Sequence, residues 1–305
     1  MSPSGPAGFA GRDRAPDKSY GGQAVIEGVV IRGKRTLSLA CRLPSGEIHR
    51  EREPLRSALL RPGPARWPFV RGIFVLWESL SHGMRMLMRS ADLQLKEEER
   101  LGKGGNTAVM GLSFLAAVVV FIGVPYVVTQ LVRGALGERD LVVNLAEGAL
   151  RLVLFLGYLV GISYLPEIRR VFAYHGAEHM TIHAFEHGDP LEPAHVRPYP
   201  TAHPRCGTAF LLLVVVIAIA SFAFIPRIHP LIDMAIRLSL VVPVAAVSYE
   251  VLKLGARHEG NPLMRLIVVP GLFLQRITTR RPDEPMIEVA IASLEEALAG
   301  DAEAA

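Results

Sequence analysis

TAVMGLSFLAAVVVFIGVPYVVTQLV, running from Thr107 to Val132, holds no Asp, Glu, Lys or Arg in 26 residues. At about 1.5 Å of rise per residue, a helix of that length exceeds the roughly 30 Å of a bilayer's hydrocarbon core. Three further stretches approach the same pattern, at about 145–165, 208–225 and 234–252. Arg151 interrupts the second, and Arg237 and Glu250 flank the fourth; charges near helix ends can snorkel to the interface. Any one of these stretches alone could be a buried helix of a soluble protein, but four in one chain argue for a membrane. The expected fold is mainly α: a polytopic membrane protein with about four transmembrane helices.

Composition agrees. Half of the residues are hydrophobic, only 7% are aromatic, and the mean hydropathy is +0.31, which sets the chain apart from ordinary soluble domains. Basic residues set the orientation. Lys96, Arg100 and Lys103 precede the first span; Arg169, Arg170, Arg197 and Arg205 lie between the second and third; Lys253, Arg257 and Arg265 follow the fourth. The other two loops carry Arg133 and Arg139, offset by Glu138 and Asp140, and then Arg227. Positive charge stays on the cytoplasmic side, so both termini are expected there. Anionic lipid accounts for the net charge of +4, and no nucleic-acid partner is needed. Cys41 and Cys206 are too few and too far apart for a disulfide framework and are expected as reduced thiols.

Residues 1–19 are rich in Gly, Pro, Ser and charge and read as a disordered leader. Residues 20–56 read as a small cytoplasmic β-meander: one strand over Ala24–Ile31, a second over Thr36–Leu43, turn chemistry at Pro44–Glu47 and a third strand near Ile48. Glu27 interrupts the first of these; it is expected either to pair with an arginine such as Arg32 or to face a polar site. Residues 57–104 suit interfacial amphipathic helices, with Arg71, Glu78, His82, Arg85 and Arg89 among apolar bulk from Trp67 to Ser90, and a charged helical stretch over Leu93–Leu101. Met84, Met86 and Met88 read as packing. Residues 105–255 form the transmembrane core, with a ligand-rich cytoplasmic loop at 166–207. In the C-terminal region, 256–305, Asn261–Ile277 is apolar but broken at Pro270-Gly271 and reads as interfacial or re-entrant. A final helix from Pro285 carries an apolar stripe of Ile287, Val289, Ala290, Leu294 and Leu298 for docking on the cytoplasmic domain.

That ligand-rich loop holds His175-Gly-Ala-Glu178-His179, followed by His183, Glu186, His203 and Cys206. An H-x-x-E-H run on a helix places two histidines one turn apart on one face, with a carboxylate beside them able to act on water. A helix from about Ile168 to His187, stopped by Gly188 and Pro190, gathers these groups on one face. They cannot all hold one ion, because His175 and His183 are roughly 12 Å apart along the axis. The pair His175 and His179 is favoured because Glu178 stands at the offset of a base. His203 and Cys206 supply the remaining ligands: one of them leaves a position open for water, both close the site as a structural zinc. His183 and His187 read as cations facing the helix dipole, and Glu186 as a residue that orients a ligand or faces water. His258-Glu259 is a weaker candidate, and His49, His82, His195 and His229 read as surface residues. There is no internal repeat, Gly-rich phosphate loop or nucleophile elbow.

Four blocks, Gly21-Gly-Gln-Ala-Val-Ile-Glu27-Gly-Val-Val, Tyr174-His-Gly-Ala-Glu-His179, Pro204-Arg-Cys-Gly-Thr208 and Leu274-Gln-Arg-Ile-Thr-Thr-Arg280-Arg-Pro-Asp283, resemble the signature blocks of the YqhQ family. The resemblance runs in order from about Tyr20 to Leu298. It implies a bacterial, multi-pass protein of the cytoplasmic (inner) membrane, in a family of unknown function described as predicted metal-dependent enzymes. It also implies roles for His175, Glu178, His179, His203 and Cys206, with Glu27 and Arg280 as further polar members. Met180 departs from the family, which more usually has lysine there. The block ending at Asp283 reads as an anion-binding turn or as the cap of the final helix, the cap being the plainer account.

The leading expectation is a membrane-bound zinc enzyme, best a hydrolase acting on an unknown substrate at the cytoplasmic leaflet, with Glu178 as base. Its rival is a non-catalytic membrane scaffold or assembly factor with a closed zinc site; a transporter or metal sensor stands third. Lipid is the expected partner, and a homo-oligomer is left open.

Overall fold

The computed structural model describes residues 20–58, 63–96, 103–137, 139–257 and 262–304. The leader 1–19, most of the charged stretch Leu93–Leu101 and the His258-Glu259 pair lie outside the described residues. Strands β1 (Gly21–Val25), β2 (Gly28–Arg32), β3 (Thr36–Arg42) and β4 (Ile48–Pro54) form one antiparallel meander in chain order. The run Ala24–Ile31, expected as a single strand, is instead the β1–β2 hairpin, with Val25 opposite Gly28 across a two-residue turn. Glu27 closes that turn in the left-handed region at φ 51°, which is uncommon for a residue with a side chain. Gly28 admits the close packing that follows: a Cβ there would stand 2.4 Å from the Ala40 carbonyl oxygen. The run looked uninterrupted because β2 is covered on both faces and so lacks a polar alternation. Val29, Ile31 and Ala40 pack toward two helices, α5 (Pro166–His187) and α10 (Glu284–Glu303). Val25, Val30, Leu37, Leu39 and Cys41 pack with Met86 on the opposite side, from α1 (Val70–Gln94).

Helix α10 starts where Asp283 accepts the Met286 N–H at 3.1 Å, so the block ending there is a helix cap. Near its far end Asp301 accepts the N–H groups of Lys34 and Arg35 and the Tyr20 hydroxyl, at 2.7, 2.8 and 2.8 Å. The first and last described elements are thereby one unit.

From this unit the chain passes into α2 (Lys103–Val118), a π-helical turn at Val119–Gly123, α3 (Val124–Leu131) and α4 (Asp140–Ile162), and returns to α5 and the short α6 (Pro193–Val196). It then forms α7 (Gly207–Ala223), α8 (Pro230–Arg257) and α9 (Pro262–Thr278) before reaching α10. Among the described residues three stretches are long and apolar enough to cross a membrane: Thr107–Leu131, Asp140–Ile162 and Pro230–Gly255. The third expected span, 208–225, is the 17-residue α7, shorter than the roughly 20 residues a crossing ordinarily takes. It packs against α4, α8 and α9. Pro270-Gly271 does not break α9 as expected: Pro270 lies inside the helix, and a Cβ on Gly271 would stand 2.4 Å from the Ala209 Cβ, so the small residue lets α9 and α7 touch.

Arg151 and Arg237, expected as interruptions near span ends, are buried together on Glu147. Arg151 reaches it at 2.7 Å and Arg237 at 3.1 Å, while Arg227 joins from the α7–α8 connection. Asn144 Oδ1 accepts from Arg227 and Arg237, at 2.8 and 3.1 Å. The Phe121 carbonyl, in the π-helical turn, accepts from Arg151 Nε at 2.9 Å.

Candidate metal centre

Pro166 opens α5 in its first turn, and Gly188, at φ 75°, ends it, close to the predicted limits. Between them His175 and His179 stand one turn apart, their rings 4.4 Å between centroids. Cys206 arrives from elsewhere, as the residue capping the N-terminus of α7. The His175, His179 and Cys206 ligand atoms lie within 4.8 Å of one another. His175 Nε2 is 3.2 Å from the Cys206 sulfur.

The tautomers follow from the neighbours. His175 Nδ1 lies 2.9 Å from the Thr278 carbonyl oxygen, and His179 Nδ1 lies 2.6 Å from that of Thr201. A carbonyl only accepts, so each Nδ1 carries a proton and Nε2 is the atom each ring can offer to a metal. This is the arrangement by which second partners orient imidazole ligands at metal sites. Two imidazoles, one cysteine and an adjoining carboxylate suit a borderline-soft divalent ion such as zinc.

Glu178 is 3% exposed, accepts the Gly22 N–H from β1 at 2.9 Å through Oε1, and holds Oε2 3.4 Å from His179 Nε2. Its Oε2 thus stands beside one of the three ligand atoms. Gly176, between the two histidines, is pressed by the chain after α9: a Cβ there would stand 2.1 Å from the Arg280 carbonyl oxygen.

The structure does not bring His203 to this trio. Its Nδ1 accepts the Arg205 N–H at 3.3 Å, and its Nε2 stands 3.7 Å from Glu186, which also pairs with Arg205. His183 Nε2 donates to the Ala202 carbonyl oxygen at 2.9 Å. Burial, added to by the neighbouring imidazoles, holds His183 below the usual histidine range despite that carbonyl, so it is neutral near pH 7 and not the dipole-facing cation expected. Glu27 lies at the outer hairpin turn, where Arg170 binds both its oxygens at 2.5 Å and Tyr174 adds a hydroxyl at 3.3 Å. Its partner is thus Arg170; Arg32 pairs with Glu78 at 3.3 Å. Arg280 exposes its side chain and touches α5 through its backbone, donating to the Phe172 carbonyl oxygen at 2.8 Å. His82, expected at the surface, is half-buried on a cavity wall, with Nδ1 buried and no hydrogen-bond partner among the described residues.

One residue escaped the sequence reading. Gln275, fully buried, accepts the His203 N–H at 2.7 Å and donates to the His203 carbonyl oxygen at 3.0 Å, clamping the segment that delivers Cys206. Its place in the Leu274-Gln-Arg block was the available signal. Thr278 shares that block, but the Thr201 carbonyl had no signal, because a backbone acceptor leaves no mark on residue type. The site opens on a cavity of about 650 Å³ between the sheet, α1, α5 and the start of α7.

A family profile described as "Protein of unknown function (DUF1385)" matches residues 67–300. The "Uncharacterized protein YqhQ" of Bacillus subtilis (strain 168) is 33% identical over 294 residues, covering 92% of each chain. No solved structure matches.

Proposed function

The chain belongs to the DUF1385 family, whose members include proteins like YqhQ of Bacillus subtilis, and from that premise we propose a membrane-bound, metal-dependent enzyme, a hydrolase working at the cytoplasmic membrane face. The observation that carries the reading is the convergence of His175, His179 and Cys206 within 4.8 Å beside Glu178, at the wall of an open cavity. Three protein ligands with room beside them are the pattern of catalytic zinc sites, whereas structural ones close with four. Bound there, a zinc ion would supply Lewis acidity toward water and toward a carbonyl or phosphoryl oxygen. Glu178 would take the proton of the attacking water, and the Gly22 N–H keeps that carboxylate aimed.

A four-span arrangement in the bacterial inner membrane, with both termini cytoplasmic, is part of this proposal. What supports it is parity. The sheet, α5 and α10 pack together, so the chain must cross an even number of times between β4 and α5, and again between α5 and α10. The stretch 107–131 with α4 satisfies the first interval. In the second, α8 needs a partner, and α7 is the apolar helix joined to its start by a short connection.

The rival reading, a scaffold with a structural zinc, needs a fourth protein ligand, and the 3.4 Å between Glu178 Oε2 and His179 Nε2 makes Glu178 the candidate. Metal analysis of the detergent-purified protein separates the two. The expected result is about one equivalent of zinc, lost in His175→Ala and Cys206→Ala and kept in His203→Ala and Glu178→Gln. Zinc lost in Glu178→Gln favours the scaffold, and a wild-type protein that folds without transition metal removes the enzymatic reading.

A further inference from the structure

The metal centre occupies one end of its cavity, and the rest of the cavity has a chemistry of its own. Glu178 is the one carboxylate among its described lining residues, while Arg32, Arg205 and His82 bring basic groups to its walls. Arg32 sits opposite Gly21 in the β1–β2 register, next to the Gly22 N–H that holds Glu178. Arg205 immediately precedes Cys206. The carboxylates paired with these arginines, Glu78 and Glu186, stand outside the lining. The wall also carries apolar side chains, among them Val30, Leu37, Val75, Val171, Phe172 and Ile182.

The cavity also lies where the chain meets the apolar bundle. Its lining includes Gly207 and Thr208, the first residues of α7, and Phe172, ten residues after α4 ends at Ile162. On α1 the cavity is lined by Val75, Ser79, His82 and Gly83, and the exposed Phe69, Ile73, Phe74, Trp77 and Leu80 form an uncovered apolar face on the other side of the same helix. An amphipathic helix with such a face lies at headgroup depth, and a cavity on its inner side, bordered by the start of α7, lies at the same level.

We infer that the substrate of this site is a membrane amphiphile with a phosphate-bearing headgroup, entering beside Ser79 between α1 and the start of α7. The inference rests on the enzymatic reading of the metal centre and names its substrate class. Arginine forks and an imidazole meet the phosphate, the apolar wall meets the first carbons of the tail, and the tail stays in the bilayer.

Calorimetric binding to the detergent-purified full chain tests this, with dihexanoyl phosphatidic acid as probe and inorganic phosphate and dihexanoylglycerol as its two halves. Phosphatidic acid is expected to bind at least about tenfold more tightly than either half. Ser79→Trp, at an exposed helix position, and Arg205→Gln should each weaken it about tenfold, with Arg205→Lys keeping most of the affinity. Equal affinity for inorganic phosphate overturns the amphiphile, and equal affinity for the diacylglycerol overturns the phosphate. Binding indifferent to both Ser79→Trp and Arg205→Gln puts the lipid on the outer surface and overturns the cavity. The two readings fail separately: a zinc-loaded wild type that binds none of the probes sinks the substrate alone, and a metal-free wild type that binds as described sinks the zinc alone.

Discussion

Gln275 shows how much of the centre depends on groups that touch no ligand. Its amide spans the His203 backbone with a donor and an acceptor, so removing it leaves two buried backbone groups unsatisfied. Gln275→Ala is expected to cost about 1–3 kcal/mol of stability and to weaken zinc binding about tenfold or more, because Cys206 lies three residues beyond the clamp. Denaturant unfolding and zinc competition with a fluorescent chelator read the two effects; unchanged zinc affinity would show that the clamp holds the fold alone. Glu178→Gln carries the complementary expectation: metal content unchanged and turnover reduced by about 10²–10⁴, measured on whichever phosphoester amphiphile proves to bind. The H-x-x-E-H spacing made His175, Glu178 and His179 legible from residue type. The choice of Cys206 over His203 was not, since both lie in one segment and line one cavity, and only the path of the chain beyond the Gln275 clamp brings the Cys206 sulfur to the histidine pair.

Among the elements, α1 exposes its apolar side chains, whereas the Glu147 cluster buries its charges. Trp67 and Trp77, 62% and 69% exposed, are the two tryptophans of the chain, so its tryptophan emission reports on α1 and the turn before it. Emission in vesicles should be blue-shifted and quenched more by lipids brominated near the headgroup than near the chain end; quenching by neither would place α1 in water. The periodicity of this amphipathic helix was visible in the sequence. The cluster on α4 was not, because Arg151 and Arg237 look like flaws in two separate spans until tertiary packing sets both against Glu147. Glu147→Gln leaves three buried guanidiniums without that carboxylate and is expected to lower stability by about 3–5 kcal/mol. A thermal melt in detergent checks this, and adding Arg151→Met should recover part of the loss. A wild-type midpoint in the single variant would mean the arginines are held by Asn144 and the backbone.

For the molecule as a whole, the decisive contact joins its two ends. Burial pushes the Asp301 carboxyl up, but the Arg35 and Lys34 N–H groups and the Tyr20 and Thr36 hydroxyls outweigh it and hold the pKa below the usual aspartate range. A depressed folded pKa contributes stability that is complete above the unfolded value and is lost as pH falls through the folded one. Asp301→Asn should therefore lower the unfolding midpoint at pH 7, and the gap from wild type should close as pH falls below the ordinary aspartate pKa of about 4. A gap independent of pH would mean that the side chain acts by shape. The sequence by itself determined the helices long and apolar enough to cross a membrane, the α-rich architecture, the small sheet and the histidine helix, because each is a local signal: unbroken apolar length, β-branched runs, or spacing that matches one helical turn. Tertiary structure alone decided that a run read as one strand folds into a hairpin, that α7 is a short helix packed among α4, α8 and α9, and that Cys206 reaches the histidine pair. The hairpin depends on the packing that covers β2 on both faces, and the other two outcomes on groups far apart in sequence, 31 residues in the case of His175 and Cys206.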